Sequence, residues 1–290
     1  MLKIQNIPYY LQLMRVEKPI GSYLLMWPTL WGIWIASEGL PSAKVLIIFM
    51  LGVFIMRSAG CVINDIADRD IDKFVERTKD RPLTAGKVTT KEALSLLVLL
   101  ILIAGILALF LSYKTILLSI PALLIALSYP FMKRIHSLPQ AHLGVAFAFG
   151  IPMAFMEIQG SLPITAYLLF FANICWTLIY DTEYAMSDRE DDKSINIKSS
   201  ALLFESLLGK KDYYIIIGLQ VAMIVLLLIV ALIENLVPYF LLSLFIVINL
   251  FYYQIILIKD HDRLNCFRAF IHNNWVGFVL FIGLFLNYLP

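Results

Sequence analysis

Lys44-Val-Leu-Ile-Ile-Phe-Met-Leu-Gly-Val-Phe-Ile-Met-Arg-Ser-Ala-Gly-Cys-Val-Ile63 runs without a break into Asn64-Asp65-Ile66-Ala67-Asp68-Arg69-Asp70-Ile71-Asp72. The first part is long enough to cross a bilayer as one helix. Past its first residue it holds a single charge, Arg57. The second part crowds carboxylates at the helix end, which places them at a membrane face. The pattern recurs once: the apolar stretch 163–180 leads into Asp181-Thr-Glu-Tyr-Ala-Met-Ser-Asp-Arg-Glu-Asp-Asp192. A membrane bundle with two acidic helix ends is the architecture these stretches predict.

Composition agrees. The chain has 290 residues, is 60% hydrophobic and has a mean hydropathy of +0.82, against about 45–50% apolar content in soluble domains. The expected class is therefore all-α, polytopic in the membrane. The net charge of +2 comes with no long basic arm, so nucleic acid is not an expected partner, and no protein partner is evident. Cys61, Cys175 and Cys266 are widely spaced and read as small apolar side chains. The first 18 residues lack a signal peptide's apolar core and cleavage site. Ile7, Tyr10, Leu11 and Met14 instead suggest an amphipathic lead-in.

Nine spans are expected, over 20–37, 44–63, 93–111, 115–131, 141–157, 163–180, 213–233, 236–258 and 269–288. With nine, all of the 23 Lys and Arg residues except Lys44 and Lys114 fall on the side of the N-terminus. The positive-inside rule then puts the N-terminus and both acidic clusters in the cytoplasm. One cluster follows the second span and the other follows the sixth. This implies two pseudo-repeated helical halves, roughly 1–135 and 136–290, within a single domain.

The spacing of the acids points to chemistry. Asp65, Asp68 and Asp72 stand at i, i+3 and i+7, one face of a helix, with Asn64 beside them. Asp181, Asp188 and Asp192 stand at i, i+7 and i+11, bordered by Tyr180 and Tyr184. Carboxylates this close repel unless a cation lies between them, and an all-oxygen set suits Mg²⁺. At a bilayer face this suggests a metal holding the phosphates of a lipid-tailed substrate. Asp70, Glu190 and Asp191 fall off the stripes and read as surface groups. The bland alternative, a solvated charge run, does not account for helical registration in both clusters.

Arg15, Lys18, Arg57, Arg77, Arg81, Lys133, Arg134 and Lys198 supply the positive charge a departing diphosphate needs, although topology alone also favours them. Arg57 is the most specific, because an intramembrane Arg is costly and marks function. Tyr129, Tyr180 and Tyr184 are placed to face a carbocation. His136 and His142 read as loop and helix-end groups, and Trp27, Trp31 and Trp34 as anchors or core.

Asn64-Asp65-x-x-Asp68-x-x-x-Asp72 and Asp188-x-x-x-Asp192 resemble the two signatures of the UbiA-type intramembrane prenyltransferases. The whole second cluster is similar to the branch acting on 4-hydroxybenzoate. So are Lys18-Pro-Ile-Gly21, Trp27-Pro-Thr-Leu-Trp31, Met56-Arg57, Arg77-x-x-x-Arg81-Pro-Leu83, Tyr129-Pro-Phe-Met-Lys-Arg134 and Leu138-Pro139. The resemblance extends almost end to end. It implies a nine-helix bundle around a central cavity, Mg²⁺ as cofactor, and polyprenyl diphosphate and 4-hydroxybenzoate as substrates. It makes Asp68, Asp72, Asp188 and Asp192 the metal residues, with Asp65, Asp181 and Arg134 also catalytic. Substrate contacts would come from Asn64, Arg15, Arg57, Lys133, Arg77, Lys198, Tyr129 and Tyr184. The expected location is a bacterial inner membrane. Asn196 stands where the family pattern has Gly, and Glu183 where Gln is frequent. A different aromatic acceptor, or a cation-coupled transporter, are the competing readings; a transporter would place its ionisable groups nearer the midplane.

Overall fold

In lipid every backbone polar group must be satisfied within its own segment, so apolar runs become helices. A computed structural model describes residues 2–73, 78–195 and 197–289, and these form thirteen α-helices with no strand. Arg77 and Asn196 lie outside the described residues. A short α1 (Ile7–Leu13) precedes α2 (Ile20–Ala36), α3 (Ala43–Asp72), α4 (Thr90–Ala108) and α5 (Tyr113–Met132). Then come α6 (Pro139–Ala148), α7 (Gly150–Gln159), α8 (Ile164–Ser187), α9 (Arg189–Ser194) and α10 (Ser200–Leu208). The chain ends with α11 (Tyr213–Ile233), α12 (Tyr239–Ile258) and α13 (Arg263–Asn287).

All nine expected spans are present among the described residues. Eight are long and apolar enough to cross a membrane outright, and α2, at 17 residues, is the short ninth. The 141–157 span is a pair, α6 and α7, joined at Phe149. Side-chain caps start several helices. Ser42 accepts from the Val45 N–H, Ser112 from Thr115, and Thr89 and Glu92 form a reciprocal capping box. Pro28, Pro121 and Pro130 lie inside helices.

Small residues let the helices approach. A Cβ on Gly277 of α13 would sit 2.4 Å from Trp27 Cδ1 and 2.6 Å from Trp176 Cη2. One on Gly144 of α6 would sit 3.3 Å from the Ile174 Cα in α8. Around these points α2, α8, α11, α12 and α13 share the main core, with Trp31 and Trp176 at 5.1 Å. Trp31 and Trp34 are buried, so they are core residues and not interfacial anchors. In α1, Tyr10 and Leu13 face inward, while Ile7 and Leu11 are exposed. Tyr10 Oη and Asn6 Nδ2 donate to Glu92 at 2.9 and 2.8 Å, strapping the N-terminal segment to the start of α4. By contrast α5 is the least buried span, and space opens on its inner side among α2, α3, α4, α6, α7 and α8.

Candidate active site

That space is a cavity of about 990 Å³. Its deep part is apolar, lined by Phe49, Val53, Ile101, Ala104, Ala108, Leu123 and Ala126. Its mouth is polar and brings together Arg15, Arg57, Asn64, Asp65, Asp68, Asp72, Arg81, Tyr129, Lys133, Tyr180, Asp181, Tyr184, Asp188, Asp192 and Lys198. Both acidic clusters, more than a hundred residues apart in sequence, therefore face one volume.

The first cluster is as its spacing predicts. The apolar helix α3 continues through it to Asp72, so Asp65, Asp68 and Asp72 are one buried face. Burying carboxylates without partners is costly, and basic side chains from three other segments meet them. Arg15 Nη2 lies 2.6 and 2.9 Å from the two Asp65 oxygens. Arg81 Nη1 bridges Asp65 at 3.1 Å and Asp72 at 2.7 Å. Lys133 Nζ donates to Asp68 Oδ2, while Asp68 Oδ1 is buried with no hydrogen-bond partner.

The second cluster departs from expectation. Helix α8 stops at Ser187 and α9 starts at Arg189, so Asp188 sits at a joint with φ −101° and ψ 6°. Asp181 and Asp192 thus lie on two helices and not on one continuous stripe, because the backbone leaves helical geometry at Asp188. Asp192 still lines the cavity. Burial, reinforced by the negative charge of Asp188, pushes its carboxyl up to about 7. Asp191, expected at the surface, also reaches the cavity wall and accepts from Arg263 Nη2 at 2.8 Å.

Among the basic residues, Arg57 projects from α3 beside Gly21, where a Cβ would sit 2.3 Å from Nε. Its Nη1 donates to Cys61 Sγ at 2.9 Å, and its charge is near Tyr129, Tyr180 and Asp181. Lys198 lines the mouth, and its Nζ donates to the Ile135 carbonyl at 3.0 Å. Arg134 does not line the cavity with the others. It follows Lys133 at the end of α5, so it points another way; Nη2 donates to the Ala67 carbonyl and lies 3.9 Å from Asp68 Oδ1. Arg134 braces α3 from outside. Tyr129 and Tyr184 are in the wall, and Tyr184 packs on Phe270 with centroids 4.9 Å apart. Arg81 is a site residue that spacing alone did not single out from the other cytoplasmic bases. Its signal was the Arg77-x-x-x-Arg81-Pro motif.

Among the described residues no three His, Cys, Asp or Glu side chains converge on one point; the carboxylates of the first motif are paired with Arg15, Arg81 and Lys133 instead. The donor set is nonetheless all oxygen, and Asp68 Oδ1 is a buried acceptor with nothing bound to it. That is what a hard divalent cation takes. The acids and bases lining this mouth match the two components of a metal–diphosphate salt.

A helical membrane bundle with two acidic motifs facing one cavity, polar at the mouth and apolar within, defines an intramembrane enzyme of diphosphate chemistry. Residues 25–283 match the UbiA prenyltransferase family, and the chain belongs to that family. It is 53% identical over 283 residues, 98% of this chain and 96% of the relative, to a protein of Pseudoalteromonas translucida (strain TAC 125) named 4-hydroxybenzoate octaprenyltransferase. A relative of the same name in Yersinia enterocolitica is 50% identical over 97% of this chain and 96% of its own. The fold matches an apo UbiA homologue from Aeropyrum pernix K1 with a TM-score of 0.79 and 26% identity, covering 95% of this chain and 99% of that one. It also matches a UbiA homologue from Archaeoglobus fulgidus bound to GPP and Mg²⁺, with a TM-score of 0.70 and 16% identity over 97% and 99%.

Proposed function

We infer that this chain transfers a polyprenyl group from polyprenyl diphosphate to the ring carbon ortho to the hydroxyl of 4-hydroxybenzoate. The products are 3-polyprenyl-4-hydroxybenzoate and diphosphate, and the step belongs to ubiquinone biosynthesis. The observation that carries this reading is the single cavity in which both aspartate motifs and their basic partners stand above an apolar slot. The acceptor follows the near-full-length likeness to proteins of that name. The two halves, 1–135 and 136–290, act on this reading as one domain, each giving one motif to the shared cavity.

Asp68, Asp72, Asp188 and Asp192 would hold Mg²⁺, with Asp65 and Asp181 beside them. The bound metal neutralises charge on the leaving diphosphate as a Lewis acid. Arg15, Arg81 and Lys133 exchange their carboxylate partners for diphosphate oxygens. Asn64 and Lys198 support them from the rim, and the family resemblance adds Arg77 as a substrate contact. The apolar slot takes the tail and excludes water from the allylic carbon. When the allylic C–O bond breaks, the rings of Tyr129, Tyr180 and Tyr184 flank the resulting cation. Arg57 gives its hydrogen bond to the Cys61 sulfur and not to a carboxylate, so its guanidinium is available to the benzoate carboxylate and orients the ring. The new C–C bond forms at the ortho carbon. The ring proton then passes to a carboxylate of the wall or to the released diphosphate, which restores aromaticity.

The bias of Lys and Arg supports a cytoplasmic N-terminus and cytoplasmic motifs. We place the protein in a bacterial inner membrane, since the near-full-length relatives come from bacteria. The test is prenyl transfer by the purified chain in nanodiscs, with 4-hydroxybenzoate and polyprenyl diphosphate, with and without Mg²⁺. Metal-dependent formation of the C-prenylated benzoate is the expected result. Absence of product across several chain lengths would reject the acceptor.

A further inference from the structure

Arg189 sits inside the second acidic motif, between Asp188 and Glu190, where sequence order makes it one more base for the substrate. The structure turns it the other way. Asp188, Asp191 and Asp192 line the cavity and Arg189 does not. Its side chain is buried, 5% exposed, behind the motif. There Nη2 lies 2.5 Å from Asp212 Oδ2, immediately before α11, and Nη1 lies 3.4 Å from His261 Nδ1 in the α12–α13 connection. His261 Nε2 reaches the other Asp212 oxygen at 2.8 Å, and Glu205 of α10 stands 3.8 Å from Nη1. Asp212 is 1% exposed. A closed Arg189–Asp212–His261 triangle thus joins the motif to two membrane helices it does not belong to.

The motif requires such a tie. Its acids straddle the joint at Asp188, and α9 is only six residues long. A helix that short does not hold its own orientation. The neighbouring acids Asp188, Asp191 and Asp192 also repel one another. Other restraints are more exposed: Arg263 reaches Asp191 at 2.8 Å and Asp188 at 3.8 Å, and Lys193 of α9 reaches Glu205 of α10 at 3.1 Å. A buried, bidentate type of base such as Arg fixes geometry better than an exposed Lys.

We propose that Arg189, held by Asp212 and His261, is a positioning residue that sets Asp188 and Asp192 at the spacing a divalent cation needs, without touching substrate. This rests on the reading of Asp188 and Asp192 as metal residues. The prediction is a split between metal affinity and turnover. Asp212→Asn removes the charge that anchors Arg189 and leaves the cavity wall intact.

The experiment uses the full chain in nanodiscs. Half-saturating Mg²⁺ and kcat are measured for the wild type, Asp212→Asn, Arg189→Lys and the exchange Arg189→Asp/Asp212→Arg. A Mn²⁺ titration followed by electron paramagnetic resonance, in the presence of inorganic diphosphate, reads metal binding without turnover. Asp192→Asn is run alongside. The expected result is a rise of about tenfold or more in half-saturating metal for Asp212→Asn and Arg189→Lys by both readouts. Their kcat at saturating metal should stay within about threefold, and the exchange should recover part of the affinity. Unchanged metal affinity in Asp212→Asn and Arg189→Lys, with only thermal stability lowered, overturns the proposal and leaves a purely structural ion pair. If Asp192→Asn binds metal and turns over like the wild type, the assignment of the motif itself fails, which is a separate result.

Discussion

Replacing Asp68 by Asn separates folding from catalysis. The side chain keeps its shape and an oxygen that accepts from Lys133, but loses one negative charge in the wall of the cavity. Asp68 is 2% exposed, whereas the Lys133 side chain is 22% exposed and stays in contact with water. The pair is largely buried, but Asn keeps an acceptor for Lys133 and leaves no carboxylate unpaired, so the change costs about 1 kcal/mol of stability. In a chain of this size that lowers Tm by roughly 2–4 °C. The catalytic cost is larger. One unit charge facing a cation at about 4 Å with an effective dielectric of about 20 contributes about 4 kcal/mol. At about 1.4 kcal/mol per decade this is roughly a 10³-fold loss of kcat/KM. The assay is prenyl transfer to 4-hydroxybenzoate in nanodiscs at fixed Mg²⁺, with thermal unfolding recorded on the same samples. Activity within tenfold of wild type, in a protein of unchanged stability, would refute the role given to this carboxylate.

Three further outcomes follow from particular contacts. Asp192 holds a proton below about pH 7 because burial and Asp188 raise its carboxyl. A metal must displace that proton, so half-saturating Mg²⁺ should climb as pH falls, by up to tenfold per unit below about 7; a flat dependence from pH 5.5 to 8 contradicts the placement. Arg57→Met removes the cation beside Tyr129, Tyr180 and Asp181, and should raise the KM for 4-hydroxybenzoate by about tenfold or more while the KM for the prenyl donor changes little. An equal effect on both substrates would reassign Arg57 to the diphosphate. Gly277→Ala forces a methyl to within 2.4 Å of Trp27 and 2.6 Å of Trp176, an overpacking cost of about 1–3 kcal/mol, seen as a lower Tm in nanodiscs. A Tm equal to that of the wild type would mean that the two indoles yield freely.

Much of this protein could be read before folding. Nine spans, most of their boundaries within a few residues, came from apolar run length, because lipid leaves the backbone no choice but helix. The first motif was also legible. Asp65, Asp68 and Asp72 lie on a helix that continues unbroken from its span, so the 3.6-residue period held. The second motif was legible in composition but not in geometry, since the period ends at Asp188, where α8 stops and α9 begins. Asp191 therefore reached the cavity despite lying off the expected stripe.

Which base meets which acid was decided by tertiary structure alone. Lys133 and Arg134 are adjacent and chemically alike, yet the first lines the cavity and the second grips the outside of α3. Arg189 stands between Asp188 and Glu190 in sequence and points away from the cavity that Asp188, Asp191 and Asp192 line. Sequence determines the chemistry present and the membrane face where it gathers, because those depend on local period and transfer energy. The direction of one side chain at a helix end depends on what packs against it, and for these residues the partners lie 23 to 72 positions away or further.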